Sequence, residues 1–92
     1  MGLTFDPRKR DRTLAERGLD FADAAAVFAV SNLQFPDARR DYGELRNVTV
    51  GLLAGRVVIV VWTQRGDDRH IISMRKANDR EKARFGQRLA EG

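Results

Sequence analysis

The stretch Val57–Trp62, "VVIVVW", is apolar at every position. A strand with one face in water alternates polar and apolar residues, so an unbroken apolar run reads as a central strand covered on both faces. Its neighbours follow from the flanking signals. "ELRNVTVGLL" precedes it across Ala54-Gly55, a two-residue hairpin turn with glycine available for a positive φ. "RHIISMRK" follows it across the "RGDD" segment, and "NLQF" is a fourth, short strand near Pro36.

Helices are expected before and after these strands along the chain. "DPRKRDRTLAERG" has Asp6 as a cap, Pro7 at the first helical position and Gly18 as a stop. Its apolar face is thin, mainly Leu14 and Ala15, so the helix is expected to be mostly exposed or held by a partner. "DFADAAAVFAV" reads as a second, short helix from Asp20 with a stripe of Phe21, Ala24, Ala25 and Phe28. The last helix opens at Asn78, with Glu81 three residues on in a capping box and Ala77, Phe85 and Leu89 inward. The expected fold class is α+β: an antiparallel sheet of about four strands with two N-terminal helices and one C-terminal helix, forming a single domain over residues 1–92.

Composition narrows the function. There is no Cys and one His in 92 residues, so thiolate metal sites are excluded, and neither metal nor cofactor is expected. The polar N-terminus and the short apolar runs point to a cytoplasmic protein rather than a membrane one. Net charge is +4, and 14 of the 17 basic residues are Arg, the side chain suited to bidentate phosphate contacts. Residues 69–88 hold seven basic and two acidic side chains, a net +5, so the remainder sums to −1. Such a concentration fits an anionic polymer, with a solvated helix face as the alternative.

The register of the sheet determines what these charges could do. With Ala54-Gly55 as the turn, Glu44, Arg46, Thr63 and Arg65 share a face. A three-residue loop, Gly66-Asp67-Asp68, pairs Arg65 with Arg69 and brings Arg69, Ser73 and Arg75 onto that face, opposite the helices. It also puts His70, Ile72 and Met74 beneath the helices. A four-residue loop would reverse this, since a one-residue slip flips a strand. One carboxylate among several Arg suits metal-free RNA cleavage, in which the 2′-hydroxyl attacks its own phosphate. Glu44 is then the base candidate, Arg46, Arg65 and Arg75 neutralise the phosphate, and Ser73 donates a hydrogen bond to it. Arg69, Lys76, Arg80 and Arg84 extend the positive track as substrate-binding candidates, with Tyr42 as a stacking platform. As a bare pair, Glu44 with Arg46 or Arg65 also fits an ordinary surface salt bridge. Trp62 reads as core and His70 as a packed residue.

The pieces "FDPRK", "ERGLDFADAAAVF", "RDYGELR", "VVWTQRG" and "RHIISMRKANDRE", in this order, resemble the BrnT family of toxins from type II toxin–antitoxin modules. The resemblance implies a RelE-like ribonuclease that arrests translation. It also implies a BrnA-like antitoxin with a ribbon-helix-helix DNA-binding domain, assembled as two toxins with two antitoxins and meeting operator DNA only through the antitoxin. From the matching motifs, Arg65, Ser73 and Arg75 carry over as functional, followed by Glu44 and Arg46. The reading from a different class is a non-catalytic basic module that partners a DNA-binding antitoxin in operon autoregulation.

Overall fold

The computed structural model describes residues 2–39 and 41–91. It contains β1 (Leu3–Phe5), α1 (Pro7–Arg17), a 3₁₀ turn (Phe21–Asp23), α2 (Ala24–Ala29), β2 (Leu33–Pro36), β3 (Asn47–Leu53), β4 (Arg56–Arg65), β5 (Asp68–Lys76) and α3 (Asp79–Glu91). One sheet runs in the order β1-β5-β4-β3-β2. The α+β class stands, but the sheet has five strands and is mixed, because β1 joins β5 in parallel. Three residues are too few to show a period, so β1 is set by its partner strand rather than by its own pattern.

The helix signals act as expected. Asp6 accepts from the Arg8 amide at 2.9 Å, and Gly18, at φ 68°, donates to the Leu14 carbonyl at 3.0 Å. At α3 the Asn78 side chain accepts from the Glu81 amide at 2.8 Å, while Glu81 accepts from the Asn78 amide at 3.0 Å. The second helix is shorter than its stripe suggested: Asp20 caps the 3₁₀ turn through the Ala22 amide, and only six residues continue as α2.

Strand β4 is buried from Val58 to Thr63, and its two faces carry two cores. Val58, Val60 and Trp62 pack with Phe21, Val27 and Ile71 under α2. Ile59 and Val61 pack with Val48, Val50, Phe85 and Leu89 under α3. Helices therefore cover both faces, which corrects the expectation of one helical and one open face. The burial of β4 on both sides requires it. Trp62 is core, donating to Thr49 Oγ1 at 2.8 Å and meeting Phe28 edge-on at 5.6 Å. Helix α1 has no buried residue. It follows the stretch of the β5 edge beyond β1, where Arg17 donates to the Met74 carbonyl at 3.0 Å.

The β4–β5 hairpin differs from expectation twice. Its turn is Gly66-Asp67, and Arg65 pairs with Asp68. Gly66 has φ 58° and Asp67 has no positive φ, the pattern of a II′ turn with glycine first. Farther along, a bulge at Ile72 shifts the register: Trp62 pairs with Ile71, but Val61 pairs with Ser73. The shorter turn flips β5 and the bulge flips it back. Ser73 and Arg75 thus reach the expected side, shared with Val61 and Ile59. Arg69, before the bulge, faces the α2 side, and His70 moves to the face of Thr63. Ile72 packs with the α3 core, whereas Met74 is buried on the α2 side as expected.

Candidate functional site

The free half of the α3 face forms a cleft of about 600 Å³ between α1, the 37–46 segment and β5. Ser73, Ile72 and Val61 form its floor. Lys9, Arg12, Thr13 and Glu16 line one wall. Their spacing places them on one side of α1, so the helix that buries nothing lends a largely cationic face to the cleft. Arg39, Tyr42 and Arg46 form the other wall. Their segment is closed at its base by the Asp37 amide donating to the Arg46 carbonyl at 2.8 Å. It is held over β4 by Thr63 Oγ1 donating to the Leu45 carbonyl at 2.6 Å.

The cations of this wall are held in place. Arg39 grips Asp37 with two hydrogen bonds of 2.8 Å, which brings the Asp37 carboxyl down to about 2. The Arg46 guanidinium lies 3.9 Å over the Tyr42 ring, and its Nε is 3.5 Å from Glu44 Oε1. That Nε is buried and hydrogen-bonds to no protein group. Ring stacking and the nearby Glu44 carboxylate hold this cation in the wall of the cleft.

A second hollow of about 260 Å³ continues the first past Ser73 and Arg39, toward α3. Arg75, Arg80 and Arg84 rim it. Arg75 makes two bonds of 2.7 and 2.8 Å to Glu81, which drop the Glu81 carboxyl to about 2 and raise Arg75. Glu81 therefore serves the helix cap and Arg75 together. Phe35 of β2 stacks on Phe85 at 6.1 Å along this hollow.

Arg46, Tyr42 and Ser73 share the first cleft, and Ser73, Arg75, Arg80 and Arg84 share the second. Glu44 and Arg46 lie in the loop before β3 rather than in a strand. Arg65 is exposed at the turn end of the hairpin. It pairs with Asp68, seven residues along β5 from Arg75, roughly 23 Å at strand rise. Arg65 and Arg75 therefore do not flank one phosphate. Arg69 leaves the set, because the shorter turn sends it to the α2 face, over Phe28 and Trp62. Lys76 lies at the far end of β5, lining a different hollow with Arg56 and Lys82.

Lys9, Arg12 and Arg39 line the cleft but were absent from the expected set, and so was His70, which does not line it but lies beside Thr63 on the same face of the sheet. The first two were legible as one side of a helix with little apolar face. His70 was misplaced by the turn. Its Nδ1 lies 2.8 Å from Thr4 Oγ1, and it pairs with Thr63, beneath the Leu45 carbonyl. Burial and then the charges of Arg65 and Lys9 lower its pKa, against smaller opposing effects of Glu44 and Asp6. The imidazole is consequently neutral at physiological pH. Among the described residues, no group of three or more His, Cys, Asp or Glu side chains could hold a metal ion.

A comparison with protein-family models matches residues 5–81 to a family described as "Ribonuclease toxin, BrnT, of type II toxin-antitoxin system". No curated protein matches the chain.

Proposed function

The chain belongs to the BrnT family of ribonuclease toxins of type II toxin–antitoxin systems, and from that membership we propose that the cleft between α1 and the 37–46 segment cleaves RNA without a metal. The observation that carries this reading is the Arg46 guanidinium, stacked on Tyr42 and sharing the cleft with Ser73 and four further cations. These four are Lys9, Arg12, Arg17 and Arg39.

RNA lies along the cleft with a phosphate against Arg46 and Arg39. The Ser73 hydroxyl donates to one of its oxygens. The 2′-oxygen attacks phosphorus, the bond from phosphorus to the 5′-oxygen breaks, and the arginines hold the charge that develops. His70 is the proton acceptor and Glu44 positions Arg46. Glu44 sits 3.5 Å from Arg46 and orients that guanidinium while remaining an acceptor. His70, neutral at physiological pH, takes the 2′-hydroxyl proton from the Thr63 end, and the leaving oxygen gains a proton from solvent. Arg75, fixed by Glu81, with Arg80 and Arg84, binds the flanking phosphates; Arg65 and Lys76 add positive field at the two ends of the hairpin. Such cleavage would arrest translation, as in RelE-like toxins. The partner is a BrnA-like antitoxin in a complex of two toxins with two antitoxins, which reaches operator DNA through the antitoxin.

The test is cleavage of total RNA by the purified chain in EDTA. Arg46→Ala is expected to lower the rate by about 100-fold or more. Strict dependence on magnesium would overturn the mechanism. No cleavage, together with operon repression that survives Arg46→Ala, would favour the non-catalytic binding module.

A further inference from the structure

Arg69 stands apart from every other cation described above. It faces the α2 side of the sheet, with its guanidinium carbon 4.1 Å from the Phe28 ring centre and 5.0 Å from that of Trp62. Its Nε is buried and hydrogen-bonds to no protein group. Among the described residues no carboxylate lies within 4 Å of it, whereas Arg10, Arg39 and Arg75 each hold one in a two-bond grip. The rings satisfy the faces of the guanidinium but not its N–H edge, which needs acceptors. Arg69 also lines a hollow of about 270 Å³ together with Gly2, Leu3, Ala25, Phe28 and Ala29. Val30, next in the chain, is 53% exposed.

The chemistry around Arg69 selects its ligand. A nucleic-acid backbone needs several cations in a row, and this hollow offers one. One carboxylate set among apolar side chains fits instead. Its charge pairs with the guanidinium edge, and its neighbours cover Leu3, Ala25 and Ala29. A stacked arginine within an apolar rim has the character of an interface anchor.

We propose that the Arg69 hollow is an anchor site for the antitoxin, taking an Asp or Glu side chain carried on an apolar segment. The inference rests on the toxin–antitoxin membership of the chain and not on its RNA chemistry. The site lies across the sheet from the cleft, so the antitoxin can hold the toxin here while another part of it covers the RNA site.

The experiment uses the antitoxin co-encoded with this chain, with affinity measured by calorimetry. Arg69→Ala is expected to weaken binding by about 100-fold, the effect of losing an interface anchor. Arg69→Lys should weaken it too, because an ammonium cannot present a planar two-donor edge. Ala29→Glu, on the exposed rim, sets a like charge beside the incoming carboxylate and should weaken binding by about 10-fold or more without touching the core. All three should cleave RNA like the wild type and remain toxic when the antitoxin is present. In the wild-type complex the Arg69 Nε–H resonance should shift, which reads the contact directly. Wild-type affinity in Ala29→Glu and Arg69→Lys, with an unmoved Nε–H resonance, would overturn the proposal even if Arg69→Ala failed to fold. A wild type that binds antitoxin through Arg69 but cleaves no RNA would overturn only the ribonuclease reading.

Discussion

The two faces of the sheet treat arginine differently. On the α3 face the cations are numerous and most are fixed: Arg39 by Asp37, Arg75 by Glu81, and Arg46 by Tyr42 with Glu44 beside it. On the α2 face a single guanidinium lies on Phe28 and Trp62, with no carboxylate within 4 Å among the described residues. Fixed cations in a row match a chain of phosphates, whose charge is spread and repeats. One cation in an apolar rim matches one acidic side chain. The difference shows that positive charge alone does not define a nucleic-acid surface. What the cations are tied to, and whether they form a row, separates a substrate cleft from a protein anchor.

The comparison breaks most directly on catalysis. Arg46→Ala should reduce cleavage by about 100-fold or more while Arg69→Ala leaves it unchanged; equal losses in both, measured on one RNA at one salt concentration, would erase the distinction. His70→Gln probes the same face. With the His70 pKa held below 6.5, wild-type cleavage should rise with pH through the acid range and level off before neutrality. The variant should be slower by about 100-fold and lose that rise. An unchanged profile would remove His70 from the chemistry and leave Glu44 as the proton acceptor.

Stability gives the next effects, one on each face. Gly51 lies under α2, where an added Cβ would stand 2.6 Å from a Val27 methyl. Gly51→Ala should therefore destabilise by about 1–3 kcal/mol, read from denaturant unfolding, because Val27 is fully buried and has no room to yield. On the other face, Glu81→Ala removes a capping-box partner and leaves Arg75 without its carboxylate. A loss of about 1–2 kcal/mol is expected. Cleavage should fall as well, since Arg75 would no longer be fixed, whereas Gly51→Ala should spare cleavage at temperatures where it stays folded.

Much of this architecture is written locally. The apolar run 57–62, the Ala54-Gly55 turn with both residues at positive φ and the caps at Asp6, Gly18 and Asn78 each depend on residues a few positions apart, and each formed as read. What escaped depends on partners distant in sequence. Strand β1 exists because β5 receives it. The Ile72 bulge is marked in the sequence only by the Ile71-Ile72 doublet, which breaks the alternation of "HIISM", and pairing with β4 shows the extra residue. Two errors of one residue cancelled for Ser73 and Arg75 but not for Arg69 and His70, which lie before the bulge. The site was therefore half legible. Residue types were right in kind, but the face of each residue before the bulge required the three-dimensional register. Lys9 and Arg12 were overlooked for another reason: a helix with no buried face reads as solvent-exposed until something packs opposite it.

The smallest effect expected is a pH dependence of stability shared by both ends of the molecule. Asp20, gripped by Arg10 at 2.8–2.9 Å, and Glu81, gripped by Arg75, both have carboxyls brought to about 2 from ordinary values of 3.8 and 4.5. Lowered folded-state values mean that the unfolded chain binds protons first. Each pair thus contributes its full stability above about pH 4.5, and that contribution fades as pH falls toward 2. Both arginines are partly exposed, which screens the pairs and keeps the effect modest. Urea midpoints measured from pH 6 down to pH 2.5 should decline for the wild type, and less steeply for Glu81→Gln, which no longer titrates. Asp20→Asn should flatten the decline by a similar amount, and the two should add, since they titrate in separate contacts. A decline that Glu81→Gln leaves as steep as in the wild type would mean that Arg75 gains no net stabilisation from its carboxylate. Arg75 would then be as unanchored as Arg69, and the contrast between the two faces would rest on Arg39 and Arg46 alone.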